Sequence, residues 1–283
     1  MPYNGAMHAV LLGVIVTAGC RFGFDASPAA DAMPDAQDVT PDVLDAALLD
    51  YCARIPALAT APAIDGAIEP GMRTQALVPV GWQSAETPLP PMPSVPVQFA
   101  VGYRPDGVYF FIDVADPDRF PARQNDLTYC GDGVEVYVDH DGAFNNAPDF
   151  DDTGTVQFIA RAPDSDTAPR TDGGEYFARR MYGGVWQAGY GAFPYAGGYT
   201  VEAFIDAAAL GLASWTPAAG SHVGIDISIN LSRADGAVIP IGECSQNRRL
   251  GQFFLRIDDT LLGEYAAGAP YYWPTAFCTA QLE

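Results

Sequence analysis

Asp132-Gly133-Val134-Glu135-Val136-Tyr137-Val138-Asp139 alternates valine with acidic or aromatic side chains at a period of two. That is the pattern of a strand with one face in a core, so Val134, Val136 and Val138 must pack on a second layer. Glu135, Tyr137 and Asp139 share the other face, which the pattern leaves at the surface beside an Asp/Asn-rich stretch. Acidic groups placed there suit a polar ligand or a metal ion.

Runs of the same kind recur on both sides of this strand. They are Val97 to Val101, Val108 to Val114, Thr155 to Ala160, Val185 to Tyr190, Tyr199 to Ile205, Val223 to Asn230 and Gln252 to Ile257. Turn signals separate them, among them Pro105-Asp106-Gly107 and Ala234-Asp235-Gly236. One helical turn is expected over Asp206 to Leu210, where an acidic N-cap precedes three alanines and Gly211 ends the turn. With 29 glycines and 24 prolines in 283 residues, the chain reads as an all-β antiparallel sandwich with jelly-roll or immunoglobulin-like layers. The formal net charge of −21 argues against nucleic acid, whose phosphates it would repel.

The first residues have a different composition. Ala9 to Ala18 is an apolar run of signal-peptide length, too short to span a bilayer, and it ends in Thr17-Ala18-Gly19-Cys20. That ending resembles a bacterial lipobox and implies export, cleavage and lipidation of Cys20, with the membrane as a partner through the anchor. Residues 21–51 are rich in Ala, Pro and Asp and read as a disordered acidic tether. The expected organisation is therefore a signal peptide over 1–20, a linker over 21–51 and one folded domain over 52–283. The location is the cell envelope or the extracellular space.

Export permits disulfides, and Cys52, Cys130, Cys244 and Cys278 remain once Cys20 is set aside. Three pairings are possible. Cys52 with Cys278 and Cys130 with Cys244 is the expected one, because the first bridge ties the ends of the domain together. A loop of that length would stabilise by about 5 kcal/mol on the chain-entropy account.

Ile64-Asp65-Gly66, the strand over 108–114, Gly131 to Asp139, Val156-Gln157-Phe158, Gly198 to Ile205 with Ala209 to Leu212, Val223 to Asp226 and Leu250 to Leu255 follow one another in a recognisable order. The series, over about residues 57 to 258, resembles carbohydrate-binding module family 9 and its relatives in the DOMON-like superfamily. The resemblance implies a β-sandwich, non-catalytic binding of an oligo- or polysaccharide and, often, bound calcium. It places an aromatic stacking ring at Trp82, since an aromatic face covers the C–H face of a pyranose. The second aromatic of the family would precede the last strand, where this chain reads Cys244-Ser245-Gln246-Asn247-Arg248-Arg249.

Arg123, Asp126, Asp132 and Glu135, with Asn247 and Arg248, are the candidate partners for sugar hydroxyls. Asp139, Asp141, Asn145, Asp149 and Asp151 form the densest set of oxygen donors and are the candidate calcium ligands, in a structural role. Trp186 and Trp215 are expected in the core. No nucleophile with a partnering base, zinc motif or phosphate loop stands out, so catalysis is not expected. Two other readings remain. One is a ligand-free surface scaffold; the other is a haem-binding relative, for which His222 with Met181 or Met92 would supply the axial ligands.

Overall fold

The computed structural model describes residues 54–79, 81–83, 92–122, 128–142, 154–178, 181–186, 189–232, 249–255 and 276–283. All of them belong to one compact unit, Thr40–Glu283. The expected signal peptide, the expected lipobox Cys20 and the expected tether lie outside the described residues.

Two sheets form the sandwich. The strands of the larger are β1 (Arg54–Ile55), β3 (Gly81–Gln83), β6 (Gly133–Asp139), β7 (Thr155–Arg161), β8 (Gly174–Ala178), β9 (Met181–Trp186), β12 (His222–Ser232), β13 (Arg249–Phe254) and β14 (Cys278–Leu282). They run in the order β1-β14-β12-β6-β7-β8-β9, with β13 also on β12 and β3 on β13. The smaller sheet holds β2 (Gln75–Ala76), β4 (Val97–Arg104), β5 (Gly107–Val114), β10 (Tyr190–Tyr195) and β11 (Gly198–Ile205), in the order β10-β11-β5-β4-β2. The ladders are antiparallel except for β1 on β14.

The opening strand behaves as its valines require. Val134, Val136 and Val138 enter a core that also holds Val156, Phe158, Ile225, Ile227 and Ile229 from the same sheet. Facing them are Phe99, Val101, Phe110, Ile112, Tyr199 and Val201 from the smaller sheet. Each such side chain taken out of water contributes about 1.5–3 kcal/mol. Gly133 has to be glycine, because a Cβ there would stand 2.5 Å from the Ala160 carbonyl oxygen. Trp186 is buried in this core, and Trp215 packs against it.

The outer face of the smaller sheet is covered by the N-terminal segment of the domain. Leu58, Ile64, Ile68 and Met72 pack with Phe204 on Ala100, Tyr109 and Phe111. The Ile64-Asp65-Gly66 motif is pinned there by the Glu202 carboxylate, which accepts the backbone N–H of Asp65 at 2.7 Å, that of Gly66, and the Tyr109 hydroxyl. The helical turn also falls where expected: Asp206 Oδ1 accepts the Ala209 N–H at 2.8 Å and Gly211 has φ +71°.

Three expectations need correction. The run Val185 to Tyr190 is not one strand. β9 ends at Trp186 in the larger sheet, Gly189 turns at φ +80°, and β10 starts at Tyr190 in the smaller sheet. Trp186 and Tyr190 then stack with ring centroids 4.2 Å apart inside the sandwich. The last recognised strand is Arg249–Phe254 rather than Gln252 to Ile257. Most important, the acidic face of β6 is not at the surface, since Glu135, Tyr137 and Asp139 are at most 1% exposed.

Candidate functional site: a buried carboxylate network and the end of β6

Burial of the second face of β6 follows from its neighbours. Register sets Glu135 opposite Ser228 of β12 and Ile159 of β7, and Tyr137 opposite Asp226 and Gln157. Cross-strand partners share a face, so three strands contribute polar groups to one patch. Phe277, just before β14, lays its ring on Tyr137 at a centroid distance of 5.6 Å.

Glu135 is the hub of this patch. Its Oε1 accepts Asn230 Nδ2 at 2.6 Å, and its Oε2 accepts Gln157 Nε2 at 2.8 Å, Ser228 Oγ at 3.3 Å and the Tyr137 hydroxyl. Gln252 Nε2 donates to Ser228 Oγ at 2.6 Å, which extends the array to β13. A carboxylate out of water is tolerated when donors surround it, and here they arrive from β6, β7 and β12. Burial, then the Glu135 charge, drives the Tyr137 hydroxyl well above its ordinary range, so it stays a neutral donor. Asn230 Oδ1 is buried without a hydrogen-bond partner, the one acceptor of this residue that the network leaves over.

Asn230, Gln157, Ser228 and Gln252 were not among the residues singled out from the sequence. Their signal was present in Asp226-Ile227-Ser228-Ile229-Asn230, which has the same alternation as β6 with polar groups on the other face.

Asp132, proposed from the sequence as a sugar partner, is fully buried and its carboxylate accepts the backbone N–H groups of Phe120 and Ser232. Desolvation raises its pKa well above the ordinary aspartate value despite those bonds. Phe120 and Ser232 precede the segments that carry Arg123 with Asp126 and Asn247 with Arg248. Those four residues lie outside the described ones. Of Trp82 the backbone is described: it stands opposite Phe253 in the β3–β13 ladder, with Gln83 opposite Gln252.

The second feature is where β6 ends. Asp139, His140 and Asp141 each offer one ligand atom, all within 4.8 Å of one another. Asp139 Oδ1 accepts the Thr155 hydroxyl at 3.2 Å, while Oδ2 is buried with no partner, as is His140 Nδ1. Burial, then the neighbouring Asp141 charge, pushes Asp139 up to about 6. An orphaned carboxylate oxygen beside an orphaned imidazole nitrogen fits a cation. Asn145, Asp149 and Asp151, the other expected ligands, lie outside the described residues.

Cys130 and Cys278 are each disulfide-bonded. The Cys130 carbonyl accepts Ser232 Oγ at 3.4 Å, whereas Cys278 pairs with Ile225, seven residues earlier on β12. At about 3.3 Å per residue Ser232 and Ile225 are roughly 23 Å apart, so even with about 5 Å of offset at each end the two cysteines stand beyond the ~7 Å Cα separation of a bridge. They therefore belong to two different bridges. Cys52 and Cys244 lie outside the described residues.

Of the axial pairs considered for haem, His222 with Met181 does not assemble. His222 on β12 and Met181 on β9 are four strands apart, roughly 19 Å at the usual strand spacing.

An antiparallel two-sheet sandwich with a polar patch held on one sheet's outer face defines a β-sandwich module. The family described as carbohydrate family 9 binding domain-like matches residues 95–240, slightly more than half of the 283 residues. The chain belongs to that family. Among solved structures it is similar to a carbohydrate-binding module of family 9 from Caldicellulosiruptor kristjanssonii in complex with cellotriose, at 16% identity and a TM-score of 0.53, over 81% of this chain and 93% of that one. A complex of a family 9 module from the same organism with glucose gives the same identity and TM-score, over 81% of this chain and 95% of that one. At this identity the likeness concerns the fold. No curated protein matches.

Proposed function

We propose that this chain is a non-catalytic carbohydrate-binding module that takes an oligo- or polysaccharide of the β-linked glucan or xylan type. Membership of the family carries the reading, and the cellotriose and glucose held by modules of the same fold support the ligand class. Trp82 would stack on a sugar ring, with Arg123, Asp126, Asn247 and Arg248 bonding its hydroxyls. Glu135 and Asp132 are buried, so their part is to position: Glu135 ties β6 to β7 and β12, and Asp132 holds the backbone from which both ligand-bearing segments depart.

The reading includes a structural cation at Asp139-His140-Asp141, to which Asn145, Asp149 and Asp151 would add oxygen ligands. It also includes export, a lipid anchor on Cys20 and the bridges Cys52–Cys278 and Cys130–Cys244, which suit the disulfide-bonded state of Cys130 and Cys278. Mass mapping of the non-reduced protein tests the pairing, and a Cys52–Cys244 peptide would sink it.

Calorimetric titration with cello- and xylo-oligosaccharides, with and without calcium, tests the binding. Heat with either series, lost in Trp82→Ala, is expected. No heat with any of them would favour the second reading, a surface scaffold that kept the fold and lost its ligand. The absence of an aromatic residue from Cys244 to Arg249 supports that alternative.

A further inference from the structure

We propose that Asp139, His140 and Asp141 bind a divalent ion of the zinc class, with the His140 imidazole as a ligand, rather than an ion such as calcium that takes oxygen alone. The proposal rests on the reading that this group holds a cation, and it goes on to name the ion's chemistry.

Two carboxylates near each other are common on protein surfaces and would say little. What distinguishes this place is that Asp139 is 1% exposed and yet keeps Oδ2 without a donor, while His140 Nδ1 beside it is also buried and without a partner. Nδ1 stands 3.7 Å from Asp139 Oδ1, beyond hydrogen-bond reach, so the two groups do not satisfy one another. Ligand atoms on a tetrahedral zinc with bonds near 2.0 Å are roughly 3.3 Å apart. The three ligand atoms lie within 4.8 Å of one another, so binding draws them together by up to about 1.5 Å.

The surroundings aim these atoms. The imidazole lies over Gly154, where a Cβ would come within 2.5 Å of Nδ1, and φ at Gly154 is +90°, which favours glycine. The Gly154 carbonyl also accepts the His140 N–H at 3.2 Å. Thr155, the next residue, holds Asp139 Oδ1 and leaves Oδ2 to the site. One turn thus seats the ring and orients the carboxylate, as outer-shell partners of metal ligands do.

The donor set decides the class of ion. Calcium takes six to eight oxygens, whereas an imidazole nitrogen with two carboxylates suits zinc and its neighbours. His222, exposed and flanking Gly142 with its Cβ 3.4 Å from where a Gly142 Cβ would be, serves as the control histidine.

The test uses the full chain, stripped with a chelator and dialysed, then titrated separately with zinc chloride and calcium chloride. Heat and melting temperature are both read. Zinc is expected to bind once per chain at least about tenfold more tightly than calcium. At a hundred times its Kd it should raise Tm by roughly 5–10 °C. His140→Ala should weaken zinc at least about tenfold while leaving the Tm of the metal-free protein unchanged; His140→Gln is the second variant should alanine unfold the turn. Calcium binding as tight as zinc, or zinc affinity that survives both His140 variants or falls instead in His222→Ala, would overturn the proposed ion class and leave the cation reading standing. No heat and no Tm change with either ion would overturn the cation reading itself.

Discussion

Replacing Asp139 with asparagine is expected to flatten part of the pH dependence of the melting temperature. The native Asp139 pKa is pushed from the ordinary 3.8 to about 6 by burial and by Asp141. The folded state therefore holds this proton more tightly than the unfolded chain does. Its stability contribution is complete below about pH 3.8 and is lost as pH rises through about 6. A rise of about two units at 1.36 kcal/mol each amounts to about 3 kcal/mol in all, of which about 1.3 kcal/mol is lost between pH 5 and pH 7. For a domain of this size that is roughly 3–5 °C in Tm.

Asp132, Asp116 and Glu202 are also raised, each chiefly by burial, and they add to the slope in the same direction. The wild type should melt higher at pH 5 than at pH 7 by more than Asp139 alone supplies. The difference between Asp139→Asn and wild type isolates the one group, since the amide keeps the shape and does not titrate. Scanning calorimetry from pH 4.5 to 7.5 in chelator measures it, and the variant should gain roughly 3–5 °C on the wild type across pH 5 to 7. A difference constant to within about 1 °C, or one that moves the other way, would refute the account of Asp139 as a carboxylate whose burial outweighs the donors it has.

Glu135→Ala should cost about 3–5 kcal/mol in urea unfolding, because it strands the Asn230, Gln157, Ser228 and Tyr137 donors in a dry patch. A loss under about 1 kcal/mol would mean that water or another group replaces the hub. Glu202→Ala frees the N–H groups of Asp65 and Gly66 and the Tyr109 hydroxyl. Amides of residues 58–72 should then exchange faster while those of β6 and β12 keep their protection. Equal acceleration in both places would show that Glu202 supports the whole sandwich and not only the covering segment.

The core strands were legible because their signal is local. Valine alternation in β6, the aromatic-rich run of β5 and the turn at Pro105-Asp106-Gly107 each declare a strand or a hairpin within a few residues. The passage from β9 to β10 was not legible, since an apolar run looks the same whether it stays in one sheet or crosses to the other. At the end of β6 the carboxylates were legible, but the contact of the His140 ring with Gly154 joins residues fourteen positions apart.

By itself the sequence determined which side chains of β6 share a face, because a strand's period of two is a property of its own backbone. Whether that face meets water was decided only by tertiary structure. Gln157, Ser228, Asn230 and Phe277 come from elements between 20 and 142 residues away from Glu135 and Tyr137. Their arrival turned a face expected at the surface into a dry, hydrogen-bonded wall, for a buried carboxylate persists only where donors from other strands replace the water it has lost.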